Sequence, residues 1–382
     1  MSDLVFTFSY VSWQAASDRG WFMPEDRLAR ALVSEARIER LLVSDLMRSL
    51  PAKLARDLST RARGERAAFP SSPARRLLQP VRLRRDYPTS VAGVESACAS
   101  YDRRLERAAR EMGMTEPAVI TGNPLMAGFA PFEWARSVTF YAHDDWLAYP
   151  LHRRWWPVYE ESFARVRAAE RRVCAVSSAA MERINPAGPA VVIPNGIDPV
   201  EWVGPPGAAP SWAADLTKPV LLYVGSLDER IDVPALVSLA REMPQATLLL
   251  VGPLLDGEHL QPLRALENVE IREPIGRDSV AALIRSADVG LIPHVSSPLT
   301  RAMSPLKLYE YLAGGLPVAA ADLPPVHGVG AGVQLVEPGG DYAPAVREAL
   351  RSGRASEEQR EAFITSNSWS RRIEQILDLA LA

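Results

Sequence analysis

The chain has 382 residues, which is too long for one ordinary hydrophobic core and fits two domains of somewhat under about 200 residues. Its net charge of -3 excludes a global attraction to nucleic acid, and its 47% hydrophobic and 23% charged residues exclude extensive disorder. Two cysteines are too few for a disulfide framework and the five histidines show no metal-ligand spacing, so we predict neither a disulfide framework nor a metal site. We also expect no cofactor.

The N-terminal residues do not form a typical targeting segment. Asp3 stands where a signal peptide carries basic residues, and the apolar run after it is short and interrupted. No window of the sequence approaches the roughly 18 to 20 apolar residues that a membrane span needs. We therefore expect a cytoplasmic protein and leave open a peripheral contact with the inner face of the membrane.

The first predicted strand covers residues 4–8, and the loop after it is rich in aromatic side chains. Open α/β sheets bind ligands at the carboxyl ends of their strands, so this loop is a candidate ligand site. Trp13 and Trp21 either pack the loop onto the domain or offer a ring face to a ligand, and packing is the more ordinary role for each. A helix over residues 24–34 and a strand over residues 38–43 are predicted to follow.

Between residues 53 and 85 the composition becomes strongly basic, and only Asp57 and Glu65 are acidic. The basic residues of this stretch are Lys53, Arg56, Arg61, Arg63, Arg66, Arg75, Arg76, Arg82, Arg84 and Arg85. Because prolines interrupt it repeatedly, we expect a long excursion with short helices. It is either a solvated surface, a patch that holds the protein against anionic lipid, or a clamp for an anionic acceptor.

A predicted strand over residues 137–141 delivers three polar side chains, His143, Asp144 and Asp145, to the carboxyl end of the sheet. They offer a hydrogen-bond donor and two carboxylates where α/β sheets bind ligands, so we predict them as catalytic candidates. The alternative is that the two aspartates cap the following turn and that His143 packs in the core.

The other elements of the first half alternate in the same way. Helices are predicted over residues 91–112, 150–172 and 177–184, and strands over residues 118–121, 173–176 and 190–193. Residues 199–219 are dense in Pro, Gly and Ala and are predicted to link two domains. This places the N-terminal domain at residues 1–198 and the C-terminal domain at residues 199–365.

Strand and helix patterns alternate through the second half, which predicts a parallel, doubly wound sheet. Gly225 and Ser226 follow the predicted strand at residues 220–224, and their backbone N–H groups are suited to approach a phosphate. His294 follows the strand pattern ADVGLIP and is expected at the same edge of the sheet. The residues after it, 295–304, are expected to form a flexible loop.

The stretch SPLKLYEYLAGGLPVAAADLPP, residues 304–325, is the strongest candidate for a ligand site. Ser304 and Pro305 suit the cap and first position of a helix whose apolar face begins at Leu306. A helix start attracts anions. Lys307 and Glu310 lie three residues apart and offer a cation for phosphate and a carboxylate for hydroxyl groups.

Lysine is rare in this chain, since only three of the 43 basic residues are lysines. A surface charge without a special task would more often be an arginine here, so Lys307 indicates a selected ammonium group. The alternative is an ordinary amphipathic helix on which Lys307 and Glu310 form a solvated ion pair.

The segment PLKLYEYLAGGLPV resembles the nucleotide-sugar-binding segment of retaining family 4 glycosyltransferases of the GT-B type, in the branch of bacterial cell-surface polysaccharide and teichuronic-acid-type enzymes. The string PNGID at residues 194–198 and part of YAHDDW at residues 141–146 are similar to the same family. The resemblance implies an α/β fold of the GT-B type, with two Rossmann-like doubly wound parallel-sheet domains facing a cleft. It also implies that a final helix, at about residues 366–382, packs on the first domain.

The resemblance further implies which residues bind the ligands. His143 is expected to contact the transferred sugar, and Trp13 and Trp21 are expected on the acceptor side. The family's first glutamate falls at Ala302, which cannot bind a sugar, so backbone groups or Ser304 are expected to replace it. The implied donor-binding residues are Gly225, Ser226, Arg230, Pro274, Ile275, Gly276, His294, Ser304, Pro305, Leu306, Lys307 and Glu310.

The implied activity is the transfer of a sugar from a nucleotide-diphosphate sugar to a sugar-bearing or lipid-linked acceptor, with retention and without a metal. The nucleotide sugar is a co-substrate, and no nucleic acid partner is expected. Two alternatives remain open at this point. One is a sugar-nucleotide epimerase on the same fold, and the other is a catalytically inactive sugar-nucleotide-binding protein.

Overall fold

Each of two units of the chain contains its own parallel β-sheet. The structure is a computed structural model and describes residues 1–50, 68–82, 86–205 and 207–382. Unit 1 comprises Met1–Pro194 and Ile373–Ala382, and unit 2 comprises Asn195–Arg372. The sequence analysis put the division after residue 198 and the start of the returning segment at about residue 366.

The strands of unit 1 are β1 (Ser2–Thr7), β2 (Ile38–Ser44), β3 (Arg48–Ser49), β4 (Arg75–Leu78), β5 (Val81–Arg82), β6 (Ala118–Thr121), β7 (Ser137–Ala142), β8 (Arg172–Ala175) and β9 (Ala190–Val192). Seven of them form one parallel sheet in the order β4-β2-β1-β6-β7-β8-β9, and β3 pairs with β5. Leu4, Val5 and Phe6 are fully buried. This is expected of a central parallel strand that is covered on both faces.

The helices of unit 1 are α1 (Trp13–Asp18), α2 (Pro24–Ser34), α3 (Val91–Glu111), α4 (Pro124–Phe129), α5 (Trp156–Ala168) and α6 (Ser178–Ile184), with a 3-10 helix at Pro150–Trp155. Polar caps explain several of their starts. The hydroxyl of Ser90 accepts the N–H of Gly93 at the start of α3, and the side chain of Asn123 accepts two N–H groups at the start of α4.

The strands of unit 2 are β10 (Val220–Val224), β11 (Thr247–Val251), β12 (Val269–Arg272), β13 (Val289–Ile292), β14 (Val318–Ala321) and β15 (Val333–Val336). They form one parallel sheet in the order β12-β11-β10-β13-β14-β15. Alternate residues of a strand point to opposite faces, so Leu221 and Tyr223 enter one apolar cluster while Val220 and Leu222 enter another. The sheet therefore separates two cores.

The helices that cover this sheet are α7 (Pro199–Trp202), α8 (Val233–Glu242), α9 (Gln261–Arg264), α10 (Arg277–Ser286), α11 (Pro298–Ala302), α12 (Leu306–Ala313), α13 (Ala343–Ser352), α14 (Glu357–Ser366) and α15 (Trp369–Leu381), with 3-10 helices at Ser211–Asp215 and Pro324–Val326. Helix α15 begins in unit 2 and ends in unit 1. No helix in the described ranges is long and apolar enough to cross a bilayer.

Both sheets reverse their strand order at one point. In unit 1 the chain moves outward from β1 through β2 to β4 and then in the other direction through β6, β7, β8 and β9. In unit 2 it moves from β10 to β12 and then from β13 to β15. Helices start on opposite sides of the sheet at such a reversal, which leaves a crevice at the carboxyl ends of the two central strands.

Two regions differ from the sequence predictions. Residues 199–219 lie within unit 2, where α7 places Trp202 in the core, so they do not form the predicted linker. The prediction failed because a large buried aromatic outweighs the local Pro and Gly content. Residues 298–302, predicted as part of a flexible loop, form α11, which Ser297 and Thr300 cap reciprocally.

The basic stretch between residues 53 and 85 is described only in part. Arg75 and Arg76 lie on β4 at the edge of the sheet, not on the predicted short helices, and the Arg75 guanidinium donates to the carbonyls of Val33 and Glu39. Arg75 therefore has a structural role. The predicted basic residues Lys53, Arg56, Arg61, Arg63, Arg66, Arg84 and Arg85 lie outside the described residues.

Candidate functional site

Lys307, the second residue of α12, lies beside the carboxyl end of β10. Its Nζ donates to the Tyr223 hydroxyl at 3.0 Å and is 4.4 Å from the centre of that ring. The Tyr223 hydroxyl in turn donates to the carbonyl of Ser226 at 3.0 Å. A Cβ added to Gly225 would lie 2.7 Å from Nζ, so the glycine makes room for the ammonium. The structure thus brings together the predicted Gly225, Ser226 and Lys307.

His294 follows β13 and joins the same cluster, with its ring 6.2 Å from that of Tyr223. The side chain is buried, and neither ring nitrogen has a hydrogen-bond partner among the residues that the structure describes. Burial, and then the positive charges of Lys307 and Arg230, hold the pKa of His294 well below its usual value. The neutral imidazole therefore has one donor and one acceptor to offer to a ligand.

Arg230, predicted as a second phosphate ligand, forms two hydrogen bonds with the Asp228 carboxylate, at 2.9 and 2.6 Å. Burial raises the pKa of Asp228, but the hydrogen bonds and charge of Arg230 together with the charge of Lys307 bring it below its usual value. The charges of Arg230 and Lys307 thus both act on the Asp228 carboxylate. The cluster formed by Tyr223, Gly225, Arg230, His294 and Lys307 is called the cationic cluster below.

The start of α12 differs from the prediction. The helix begins at Leu306 with Pro305 as its cap residue, and no side chain caps it. The Ser304 hydroxyl instead accepts the Asn195 N–H at 3.1 Å, and the Ser304 carbonyl accepts the Asn195 side chain at 2.7 Å. Ser304 is therefore wrongly predicted as a helix cap, because the PNGID turn occupies its hydroxyl. Sequence inspection does not reveal this contact between residues far apart in the chain.

Glu310, predicted to bind hydroxyl groups, lies 2.5 Å from Arg277 in an ion pair between side-chain atoms. Arg277 also binds Glu201, and it begins α10 directly after the predicted Pro274–Gly276 loop. A Cβ added to Gly276 would meet no atom within 4 Å, so this backbone is accessible. Arg277 was missed by the sequence analysis, and only the fold shows that it connects the loop to Glu310.

The carboxyl ends of the central strands of unit 1 hold a buried carboxyl group that the sequence analysis missed. Glu25, on α2, accepts the N–H of Ser9 at 2.6 Å and the hydroxyl of Ser9 at 2.7 Å. His143 Nε2 lies 3.3 Å from the Ser9 hydroxyl and 3.7 Å from a Glu25 oxygen. A Cβ on Gly122 would lie only 2.0 Å from Glu25, so the glycine after β6 makes this arrangement possible.

Burial is the largest cause of the pKa shifts of both Glu25 and His143. It raises the pKa of Glu25 to about 8, against the lowering effect of the hydrogen bonds from Ser9. Burial, and then the charge of Arg19, lowers the pKa of His143 to about 4. The imidazole is therefore neutral near pH 7, and the Ser9 hydroxyl, which donates to Glu25, is free to accept from Nε2–H. Perturbed groups of this kind are common at functional sites.

The two aspartates after His143 have different surroundings. The Asp144 carboxylate accepts the N–H of Asp145 and lines a cavity of about 1150 Å³ in unit 1. The Asp145 carboxylate is buried, accepts the N–H of Leu147 and pairs with Arg183 at 3.1 Å. Asp145 therefore supports the turn, as the alternative interpretation had it, whereas Asp144 and Ser9 are among the residues that line the cavity.

Trp13 and Trp21, predicted on the acceptor side, pack against each other after β1. Trp13 begins α1, is buried, and packs edge-on against Trp21 and Phe69. Neither tryptophan is among the described residues that line the unit 1 cavity. Helix α1 forms within this loop and places the Trp13 ring against the domain. The cavity is lined by other aromatic residues, including Tyr10, Trp146 and Trp155.

Within the described ranges, no group of three or more His, Cys, Asp or Glu side chains is placed to hold a metal ion. Cys98 and Cys174 are free and buried, and burial raises the pKa of each thiol to about 12. Among the described residues, two groups place titratable side chains near the carboxyl ends of central strands: the cationic cluster of unit 2, and Asp144 with the Glu25–Ser9–His143 group of unit 1.

Comparison with known proteins identifies the fold and the domain of unit 2. Residues 218–352 match the family described as "Glycosyl transferases group 1". Over 107 residues, the chain is 35% identical to a Bacillus subtilis (strain 168) protein named "Putative teichuronic acid biosynthesis glycosyltransferase TuaH". That match covers 28% of this chain and 27% of that protein, so the chain spans about a quarter of the curated relative's length in it.

Solved structures resemble the chain over nearly its whole length. Sucrose-phosphate synthase from Thermosynechococcus elongatus has a TM-score of 0.69 at 17% identity, covering 99% of this chain and 98% of that one. HepE of Anabaena in complex with UDP has a TM-score of 0.64 at 16% identity, covering 98% of each chain. The chain has the GT-B fold, which confirms the predicted pair of Rossmann-like domains. The residues that match the glycosyl transferases group 1 family, 218–352, lie in unit 2.

Proposed function

We propose that the chain is a glycosyltransferase that takes a sugar from a nucleoside diphosphate sugar held by unit 2. The observation that carries this proposal is the cationic cluster at the strand-order reversal of the unit that matches the glycosyl transferases group 1 family. A phosphate placed there meets the ammonium of Lys307, the start of α12 and the backbone at Gly225. UDP-sugars are the favoured donors, since solved HepE structures of the same fold contain UDP and UDP-glucose.

Lys307 contributes to the reaction by stabilising the leaving group. As the anomeric carbon–oxygen bond to the diphosphate breaks, its electron pair goes to the diphosphate, which gains negative charge. The acceptor hydroxyl oxygen forms the new bond to the anomeric carbon, and the hydroxyl proton is lost to water. A fixed ammonium that does not have to move into place lowers the energy of this transition state. We propose that transfer proceeds with retention and without a metal, as the family resemblance implies.

We propose that unit 1 binds the acceptor, with Asp144 and the Glu25–Ser9–His143 group as its reactive end. Asp144 lines the unit 1 cavity, and a carboxylate there is suited to accept a hydrogen bond from an acceptor hydroxyl. His143 is held in one position by the Ser9 hydroxyl. Donor and acceptor thus have separate binding groups, one in each unit.

The first experiment measures donor binding. Lys307→Gln is expected to weaken UDP-glucose or UDP binding by about tenfold to a hundredfold, since a hydrogen bond to a charged group contributes roughly 1.5 to 3 kcal/mol. Lys218→Gln is the matched control, because Lys218 binds Ser286 and Asp288 and does not contact the cluster. Calorimetric titration measures the affinity of both variants for UDP, and circular dichroism checks that both fold. Equal affinities in the two variants would contradict the proposal.

A second experiment separates a transferase from an epimerase and from an inactive binding protein. Release of UDP from UDP-sugars is followed with and without a panel of hydroxyl-bearing acceptors. A transferase releases UDP at a rate that depends on the acceptor, and NMR of the product's anomeric proton shows whether configuration is retained. An epimerised sugar, or no turnover with any acceptor of the panel, would count against the proposal. A chelator titration tests the metal requirement.

The location of the protein is proposed from sequence alone. We propose that it acts in the cytoplasm and contacts the inner face of the membrane through the basic stretch between residues 53 and 85. Sedimentation with vesicles of anionic phosphatidylglycerol, compared with vesicles of neutral phosphatidylcholine, tests this. Binding only to the anionic vesicles and its loss at high salt are expected, and equal sedimentation with both would refute it.

A further inference from the structure

The cavity of unit 1 is large, and its walls are mainly apolar and aromatic. Its volume of about 1150 Å³ lies above the roughly 300 to 1,000 Å³ of sites that hold drug-sized ligands. Apolar walls include Met23, Leu46, Met47 and Leu125. Each hydroxyl group of a sugar that is placed against a surface unable to form hydrogen bonds costs free energy, whereas an apolar group gains free energy there. A cavity of this size and lining therefore favours a ligand with a large apolar part over a bare sugar.

The aromatic side chains form one connected wall that starts beside the reactive group. The ring of Trp146 lies 6.0 Å from that of His143 and 5.3 Å from that of Tyr10. Trp146 stacks on His152 at 5.5 Å, and His152 in turn lies 6.1 Å from Trp155. These spacings are those of interacting aromatic pairs. The wall therefore leads from His143 along an apolar surface.

Polar side chains line the remaining parts of the cavity. Ser9 and Asp144 border it next to His143, Asn123 lies beside them and donates to the Ser9 carbonyl, and Arg48, Ser49, Arg82 and Asp86 border it elsewhere. Arg82 donates to the carbonyls of Met47 and Asp86 and lies 5.3 Å from the centre of the Tyr87 ring, so its charge is already well solvated by the protein. The group best placed to orient a hydroxyl near His143 is the Asp144 carboxylate.

We propose that this cavity holds the acceptor and that the acceptor carries a large apolar group beside the aromatic wall, with its reacting hydroxyl directed to Asp144. This rests on the proposed glycosyltransferase function, and it narrows the acceptor to hydroxyl compounds that bear an extended alkyl or aryl group. Burial of the apolar group supplies the binding free energy, while Asp144 supplies the orientation.

The direct test uses alkyl and aryl β-glucosides as probes, at concentrations below those at which they form micelles. Affinity is expected to rise by up to about fourfold for each methylene group added between methyl and octyl glucoside, as for burial of a hydrocarbon chain. Phenyl and naphthyl glucosides distinguish an aryl-binding wall from one that prefers a chain. Affinity that stays the same from methyl to octyl and is no higher for the aryl probes would overturn the proposal. This series uses only the unmodified protein.

Two variants locate the binding site. Trp155→Leu is expected to weaken octyl glucoside binding by about tenfold and to leave methyl glucoside unchanged, because it removes only wall area. Trp134→Leu is the matched control, since Trp134 packs in unit 1 and donates to Asp102 but does not line the cavity. An octyl glucoside that carries a photoreactive diazirine should label peptides within residues 146–159. Equal effects of both variants, or labelling elsewhere, would refute the assignment.

Binding of UDP-glucose is measured on the same samples, which separates this proposal from the function on which it rests. If UDP-glucose binds and depends on Lys307 while the glucosides show no chain-length dependence, the cavity proposal alone fails. If the glucosides behave as expected while no UDP-sugar binds, the proposed donor site fails and the apolar cavity is retained as a ligand site.

Discussion

Gly225 lies where any side chain would displace the Lys307 ammonium. Its φ of +149° is one that other residues rarely adopt, and an added Cβ would lie 2.7 Å from Nζ and 2.9 Å from Cε of Lys307. We expect Gly225→Ala to destabilise unit 2 by about 1 to 3 kcal/mol through backbone strain and also to weaken UDP binding, because the flexible lysine end moves away. Urea unfolding and calorimetric titration measure the two effects.

Gly257→Ala is the control for this prediction. A Cβ added to Gly257 would come no closer than 3.5 Å to Leu254, and the φ of Gly257 lies outside the range that favours glycine. Stability is therefore expected to stay within about 0.5 kcal/mol of wild type, as for a surface substitution. If Gly225→Ala binds UDP as tightly as Gly257→Ala, then Gly225 has no role in positioning Lys307.

Glu25 and His143 make stability depend on pH in opposite directions. Burial raises the pKa of Glu25 from 4.5 to about 8, so between these values the folded protein holds more protons than the unfolded chain, and stability falls as pH rises. Burial lowers the pKa of His143 from 6.5 to about 4, so between these values stability rises with pH. The two effects oppose each other up to about pH 6.5, and above it only that of Glu25 remains.

We therefore expect the free energy of unfolding of unit 1 to decrease as pH rises from 6.5 to 8. Glu25→Gln removes the titrating group while keeping a similar shape, so its stability should be nearly independent of pH in this range. Urea unfolding at several pH values, followed by tryptophan fluorescence, compares the two proteins. Parallel pH curves for wild type and variant would show that Glu25 is ionised in both the folded and unfolded states.

At the scale of elements, α12 both carries Lys307 and closes the end of β10. The Tyr311 hydroxyl, on the face of α12 that packs against the sheet, accepts the Val224 N–H at 2.9 Å. Tyr311 is fully buried, and Gly290 on β13 makes room for its ring, because an added Cβ there would lie 2.5 Å from it. One helix side chain thus fixes the position of the strand end that precedes Gly225.

Tyr311→Phe is expected to leave the Val224 N–H without an acceptor and to cost about 1 to 3 kcal/mol of unit 2 stability. It should also weaken UDP binding, since the strand end next to Gly225 is less well held. Tyr342→Phe is the comparison. The Tyr342 hydroxyl donates to the Ile292 carbonyl at 3.3 Å, so its removal leaves no buried N–H group without an acceptor. Thermal unfolding and UDP titration should show a larger effect for Tyr311→Phe, and equal effects would contradict this account.

At the scale of the whole molecule, the last residues of the chain stabilise unit 1. Ile376 and Leu377 of α15 are fully buried, and the Ala380 carbonyl accepts hydrogen bonds from Ser137 and Arg172 of unit 1. An ion pair between Arg37 and Asp378 adds a contact at the surface, where it contributes little. The segment Ile373–Ala382 is therefore part of the unit 1 core although it follows unit 2 in sequence.

Ile376→Ala and Leu377→Ala are each expected to destabilise unit 1 by about 2 to 5 kcal/mol, as for cavities in a packed core, and to leave UDP-glucose binding by unit 2 unchanged. Leu255→Ala is the control, because Leu255 is 66% exposed and lies in unit 2. Urea unfolding together with UDP-glucose titration tests this. Loss of UDP-glucose binding with retained unit 1 stability would show that the segment serves unit 2 instead.

The agreement between prediction and structure follows the strength of the local signal. Strands over residues 118–121 and 220–224 were predicted with the bounds that the structure has, because each is an apolar run between turn formers. The short helix α1 was predicted as part of a loop, since six residues carry too little periodicity to distinguish a helix from a turn. Strand β4 was missed because arginines occupy two of its four positions, so the segment lacks the apolar run that predicts a strand.

By itself, the sequence determined the alternation of strands and helices, and hence the α/β fold, because burial on both faces of a parallel sheet demands continuous apolar runs. The sequence also predicted Gly225 and His143 as site residues from their places after strands, and Lys307 from its place at a helix start. Which groups meet, such as Glu25 with Ser9 or Ser304 with Asn195, depends on how the elements pack. The physical reason is that hydrogen bonds and ion pairs between distant residues depend on distances of a few ångström, which the packing of separate elements sets and no local pattern records.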